Sequence, residues 1–135
     1  MKIWMLLLVA VLGLVSCRKQ VEQWDDNIEK GWYDVRTFTV NVPDMQNAAC
    51  ARIIRGALAK VEGVNPNKIE ENIDARTVTV TYDSLQCAHK NIQFAVAEAG
   101  FRVINVDTNP LGVTTTNEIP ANANARAALP ADCRP

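Results

Sequence analysis

The chain has 135 residues, with 14 Lys and Arg against 15 Asp and Glu and a formal net charge of −1. This length suits one ordinary domain with tails. The balanced charge, with no basic patch interleaved with aromatic residues, argues against a nucleic-acid-binding protein. No acid–base pair, nucleophile constellation or phosphate loop is recognisable in the sequence, so we expect a protein that is not an enzyme.

The N-terminal stretch MKIWMLLLVAVLGLVSC is typical of an export signal. A charge at Lys2 precedes an apolar run, Ile3 to Val15, that is too short for a comfortable membrane span. The ending LVSC resembles the lipobox of bacterial lipoproteins, in which the cysteine is lipidated and the chain is cut just before it. The resemblance implies that residues 1–16 are a signal peptide and that Cys17 carries a lipid anchor. The alternative is an ordinary signal with an incidental cysteine.

Residues 17–34 would then be the lipidated cysteine and a polar tether. The anchor implies a membrane-attached protein of the cell envelope. Arg18 stands where an Asp would resemble an inner-membrane retention signal, so the periplasmic side of the outer membrane is favoured. This compartment permits disulfides. Apart from Cys17 the sequence has three cysteines, and an odd number means that at least one thiol is free, metal-bound or intermolecular.

The regular part of the chain begins with a strand and a helix. The alternating sequence RTFTVNV, residues 36–42, predicts a strand with its apolar residues on one face. Pro43 and Asp44 interrupt it, Asn47 is a good helix N-cap, and Gly63 ends the helix. The inward face of this helix is predicted from residues at helical spacing: Cys50, Ile53, Ile54, Ala57, Leu58 and Val61.

Three strands and a second helix follow. Residues 67–74 predict a weaker strand and residues 76–82 a clear one. A helix capped by Asp83 or Ser84 runs to about Ala99, and residues 101–106 predict a fourth strand. The order βαββαβ is that of ferredoxin-like domains. The predicted fold class is therefore α+β, a ferredoxin-like sandwich with an antiparallel four-stranded sheet and two helices on one face.

The last segment, residues 108–135, differs in composition. It is rich in Ala, Asn, Thr and Pro and has no hydrophobic period. Such a segment cannot bury much apolar surface, so we expect a disordered or loosely docked tail.

Within the predicted domain, residues 35–107, Met45 to Val64 and the segments TVTVTYD and IQFAVAEAGFRV closely resemble the heavy-metal-associated domain. That family includes copper chaperones, modules of copper-transporting ATPases and a periplasmic mercury-binding protein. Its motif, Gly-Met-x-Cys-x-x-Cys, lies between the first strand and the first helix. Here Met45 matches the Met and Cys50 the second Cys, but Asp44 replaces the Gly and Asn47 the first Cys.

The resemblance implies binding or passing on of a soft metal ion by thiolate exchange at Cys50. Cu(I) is the most plausible ion, with Zn(II) and Hg(II) as the other candidates, because these ions favour thiolates. The second thiolate would come from a second copy in a homodimer through Cys50, from a metal-donor or metal-acceptor protein, or from a small thiol. Met45 would support the loop from inside, and Asn47 would cap the helix rather than bind metal.

Two other interpretations of Cys50 remain open: a redox or disulfide-forming thiol, and a small apolar residue at a helix start. If Cys50 is only a small apolar residue, the alternative function is a metal-free protein-interaction module in the cell envelope.

The remaining cysteines are interpreted through the predicted topology. The two helices run in opposite directions, which places Cys50 and Cys87 at opposite ends of the domain. The tail begins at the Cys87 end, so we predict a disulfide between Cys87 and Cys133, which would leave Cys50 as the odd thiol. Cys87 and His89 are not expected to form a ligand pair, because residues two apart on a helix do not face each other. His89 is expected to be an exposed helix residue.

Overall fold

The structure, a computed structural model, describes residues 33–135. The predictions of a signal peptide, of lipidation at Cys17 and of most of the 17–34 tether therefore lie outside the described residues. Within the described part, no helix is long and apolar enough to cross a membrane.

The described residues form one antiparallel sheet of five strands. The strands are β1 (Val35–Asn41), β2 (Val64–Asn72), β3 (Thr77–Asp83), β4 (Val103–Thr108) and β5 (Thr114–Ile119), in the spatial order β2-β3-β1-β4-β5. Strand β1 pairs along its whole length with β3 but meets β4 only at Asn41, opposite Ile104. The first four strands have the predicted ferredoxin-like arrangement, and β5 adds a fifth strand beyond β4.

The helices are α1 (Ala48–Leu58), α2 (His89–Glu98) and the short α3 (Ala123–Ala128), followed by a 3-10 turn, Ala131–Cys133. Helix α1 begins where the sequence predicts, because the Asn47 side chain accepts hydrogen bonds from the backbone N–H groups of Ala49 and Cys50, at 2.9 and 3.0 Å.

The core lies between the sheet and helices α1 and α2. The alternation predicted for β1 and β3 is confirmed, since the inward residues Val40, Val78, Val80 and Tyr82 are buried. The helices contribute Ile54, Leu58, Ile92 and Val96, all fully buried. On the opposite face of the sheet, the hydroxyl groups of Thr39 and Thr79 form a cross-strand hydrogen bond of 2.9 Å.

The predicted start of the second helix is wrong. Helix α2 begins at His89, and the residue at its N-cap, Ala88, makes no side-chain capping bond. Asp83 is fully buried and instead holds a turn, in which its carboxylate accepts hydrogen bonds from the Leu85 backbone N–H and the Gln86 side chain. The Asp thus satisfies the turn that precedes the helix rather than the helix itself.

The prediction of a disordered or loosely docked tail is also wrong. Strand β5 pairs with all of β4, from Val103 opposite Ile119 to Thr108 opposite Thr114. Five of its six residues are exposed, so backbone pairing rather than apolar burial holds the strand. The ordered domain therefore continues past the predicted boundary at 107 to Pro135.

Candidate functional site

The loop between β1 and α1 carries the motif residues. Met45 is fully buried beneath the loop, and its backbone N–H bonds to the carbonyl of Val42 at 3.1 Å. Cys50 lies in the first turn of α1 and is fully buried. The structure thus places Met45, Asn47 and Cys50 around one strand–helix junction, with Asn47 acting as the helix cap.

Cys50 is bonded to Cys133, and their Cα atoms are 5.7 Å apart. This pairing overturns the predicted Cys87–Cys133 disulfide. The tail does begin at the Cys87 end, but β5 runs antiparallel to β4 and returns it to the end where β4 starts. There Cys133 meets Cys50. With its sulfur used inside the chain, Cys50 is not the odd thiol, and it cannot link two copies while this bond is intact.

A second link between the motif loop and the tail is an ion-pair cluster around Asp44. The Asp44 carboxylate is fully buried and accepts hydrogen bonds from Arg102 Nη2 and Arg126 Nη1, each at 2.8 Å, and from the Arg102 backbone N–H at 3.1 Å. Burial by itself would raise the pKa of Asp44, but these bonds outweigh it and hold the pKa below its ordinary value. Asp44, at the family's Gly position, therefore joins the motif loop to the tail.

The backbone at Gly100 explains how the tail approaches so closely. Gly100 has a φ of +101°, and a Cβ there would lie 2.7 Å from the backbone nitrogen of Arg126. Only glycine combines this left-handed conformation with such an approach. Arg126 also donates to the Gly100 carbonyl at 3.4 Å and to the Pro135 carbonyl at 3.1 Å. One arginine thus contacts the motif loop, the end of α2 and the last residue.

Cys87 and His89 lie outside this site. Cys87 is the one free cysteine among residues 33–135; it is buried, and burial raises the pKa of its thiol. His89 is exposed, as predicted, and its ring stacks on Phe38 with centroids 4.0 Å apart. Over the same residues, no group of three or more His, Cys, Asp or Glu could hold a metal ion. Of the three cysteines among residues 33–135, the fold thus brings Cys50 and Cys133 together and keeps Cys87 apart.

Chemically, the pair has two states. While Cys50 and Cys133 form a disulfide, neither has a thiolate that could bind a metal. After reduction, the two residues provide two neighbouring thiols. Sequence reasoning missed the partnership of Asp44, Arg102 and Arg126, and it assigned Cys133 to the wrong partner. The sequence carried two signals of this site: the odd number of cysteines that remain apart from Cys17, and the replacement of the motif Gly by Asp44.

Comparison with known proteins points to one family. A family model described as the heavy-metal-associated domain matches residues 39–102. The mercuric transport protein periplasmic component of Shigella flexneri is 36% identical over 70 residues, which are 52% of this chain and 75% of that protein. Copper-transporting ATPase 1 of Mus musculus is 30% identical over 99 residues, which are 73% of this chain but 6% of that protein. The crystal structure of oxidized MerP from Ralstonia metallidurans CH34 is 33% identical and covers 50% of this chain and 90% of its own, with a TM-score of 0.47.

Proposed function

Since this chain belongs to the heavy-metal-associated domain family, we propose that it binds a soft metal ion at Cys50 and passes it on by thiolate exchange. The observation that carries the proposal is the position of Cys50 in the first turn of α1, beside the buried Met45. A helix N-terminus favours the anionic sulfur and lowers the pKa of a thiol placed there. Thiolates in turn favour soft metal ions.

Cu(I) is the ion we propose first, and Hg(II) and Zn(II) are the other candidates. The names of the relatives, a mercuric transport protein and a copper-transporting ATPase, support this choice of soft ions. Transfer requires no catalysis, because a thiolate of a metal-donor or metal-acceptor protein can replace a bound thiolate. Metal binding first requires reduction of the bond between Cys50 and Cys133.

We further propose that the protein works in the cell envelope, anchored through a lipid on Cys17 after removal of residues 1–16. The periplasmic side of the outer membrane is the preferred location. The LVSC sequence and Arg18 support this proposal. Mass spectrometry of the protein from bacterial membranes tests it, because a lipidated mature chain begins at Cys17 and is heavier than its sequence by the acyl groups.

The test of metal binding is an anaerobic Cu(I) competition titration of the reduced full chain, in mild detergent because Ile3 to Val15 is apolar. Every variant carries Cys17→Ser to remove the thiol outside the domain. We expect Cys50→Ala to lose tight binding. Cys87→Ala is the matched control, since it removes the buried free thiol and should leave binding unchanged. Tight binding retained in Cys50→Ala would refute the proposal.

The second candidate function is a metal-free interaction module of the envelope. The specific observation in its favour is that Cys50 is fully buried and already bonded to Cys133, so the motif has no available thiol in the oxidised chain. The same titration separates the two functions. Failure of the reduced, correctly folded chain to bind Cu(I), Hg(II) or Zn(II) would favour the module.

A further inference from the structure

We propose that Cys133 is the missing second ligand, so that Cys50 and Cys133 together hold one soft metal ion within a single chain. This inference rests on the proposed function, because it assigns the partner of the Cys50 thiolate. The family motif has its two thiols three residues apart on one segment, and here the tail supplies the second thiol. The thiol that the family has at the position of Asn47 is then supplied by Cys133 instead.

The separation of the two cysteines suits a shared ion. Metal–sulfur bonds of about 2.3 Å place two sulfurs no more than roughly 4.6 Å apart in a linear complex. The Cα atoms of Cys50 and Cys133 are 5.7 Å apart, so side-chain rotation can open the bonded pair to this distance. Cys133 ends a 3-10 turn, and the next two residues, Arg134 and Pro135, are exposed.

The tail is held next to Cys50 by contacts that do not depend on the disulfide. Strand β5 pairs with β4 along six residues. The backbone N–H of Asn122 bonds to the carbonyl of Ala97 at 2.8 Å, and its side chain donates to Glu98 at 2.9 Å. Leu129 is buried in the core. Reduction therefore leaves Cys133 facing Cys50, whereas a thiol on an untethered tail would have to be captured at an entropic cost.

One ion pair links the two segments that carry the cysteines. Asp44 lies in the motif loop before Cys50, and its carboxylate accepts a hydrogen bond from Arg126 Nη1 at 2.8 Å. Arg126 lies in α3, before Cys133. This contact therefore helps to hold the two segments together when the disulfide is reduced.

The disulfide makes the site redox-dependent. A dithiol reductant transfers two electrons and two protons to the Cys50–Cys133 bond, becomes a disulfide itself and leaves two thiols. Binding of the ion then displaces the two thiol protons to solvent. The oxidised chain has neither thiol and holds no ion. Cys87 cannot substitute, because it lies in the turn after β3, beside the start of β1, whereas Cys50 follows the end of β1.

The experiment compares the reduced full chain with its Cys50→Ala, Cys133→Ala and Cys87→Ala variants, all in the Cys17→Ser background, by anaerobic Cu(I) titration with recorded oligomeric state. We expect the reduced chain to bind one ion per monomer, both with Cys50 and Cys133 unaltered and in the Cys87→Ala variant. The oxidised chain should bind none. Cys133→Ala should lose affinity by more than the 10- to 100-fold that loss of an outer-shell partner typically costs.

The outcomes distinguish the two proposals. If Cys50→Ala abolishes binding and Cys133→Ala leaves affinity and stoichiometry unchanged, Cys133 is not a ligand and only this inference fails. If Cys50→Ala itself binds normally, the proposed function fails. A second measurement keeps both cysteines in place, so that misfolding of a variant cannot affect it. In the reduced chain, loading with Cu(I) should slow the alkylation of both Cys50 and Cys133 relative to the metal-free reduced chain. Modification of Cys133 while Cys50 is protected would overturn the inference.

Discussion

Reduction of the Cys50–Cys133 bond should destabilise the domain substantially. The two residues are separated by 83 positions in the sequence. The chain-entropy model assigns a cross-link closing a loop of this length about 4.5 kcal/mol, through the restriction of the unfolded chain. Measured values usually fall below the model because unfolded chains retain structure, so we expect about 2 to 4 kcal/mol. This is a large part of the 5 to 15 kcal/mol typical of a folded domain.

Urea unfolding of the oxidised and reduced full chain, followed by circular dichroism, measures this contribution. With a slope of roughly 1.5 kcal/mol per molar urea, the midpoint should fall on reduction by roughly 2 M. Cys133→Ala should unfold at the same urea concentration with and without reductant, since it has no bond to lose. Cys87→Ala retains the bond and should show the full shift, because Cys87 is not part of it.

A double-mutant cycle isolates the bond itself. Cys50→Ala and Cys133→Ala each remove the same cross-link, so under oxidising conditions the double variant should lose far less than the sum of the single losses. Under reducing conditions the cycle should be nearly additive. Equal midpoints for the oxidised and reduced unsubstituted chain would refute the reasoning, and would mean that the bond does not restrict the unfolded ensemble.

Three further predictions concern the attachment of the tail. Asp44→Asn leaves two guanidinium groups facing a neutral amide. We expect the free energy of unfolding, measured with urea, to fall by about 3 kcal/mol. This value is at the lower end for a broken buried ion pair, because both arginine side chains are partly exposed. The pKa of Asp44 lies below its ordinary value in the folded domain. The contribution of Asp44 to the free energy of unfolding should therefore be complete above about pH 4, the pKa in the unfolded chain, and be lost as the pH falls through the folded pKa. An acid titration of Asp44→Asn should lack this step. Gly100→Ala should lower the melting temperature by displacing Arg126. Gly56→Ala, whose new Cβ would meet no atom outside its own helix within 4 Å, should instead gain about 0.5 to 1 kcal/mol in the free energy of unfolding. Similar effects of the two glycine substitutions would contradict the close approach at Gly100.

The sequence by itself determined the parts of this protein that follow local rules. Apolar residues alternate along 36–42 and 76–82 and recur at helical spacing after Asn47, and each pattern specifies which face is buried. The cap at Asn47 depends only on backbone N–H groups two and three residues away. The ferredoxin-like order and the heavy-metal-associated domain family were predictable from these patterns and from the motif remnant.

The tertiary structure alone decided how the tail completes the site. Strand β5 has almost no apolar face, so its partner is chosen by backbone hydrogen bonds that leave no pattern in the sequence. The bonds of Asp44 reach residues 58 and 82 positions away, and the disulfide spans 83. Such long-range contacts depend on the path of the whole chain. For this reason Cys133 was predicted to meet Cys87, whereas in the folded domain it lies against Cys50.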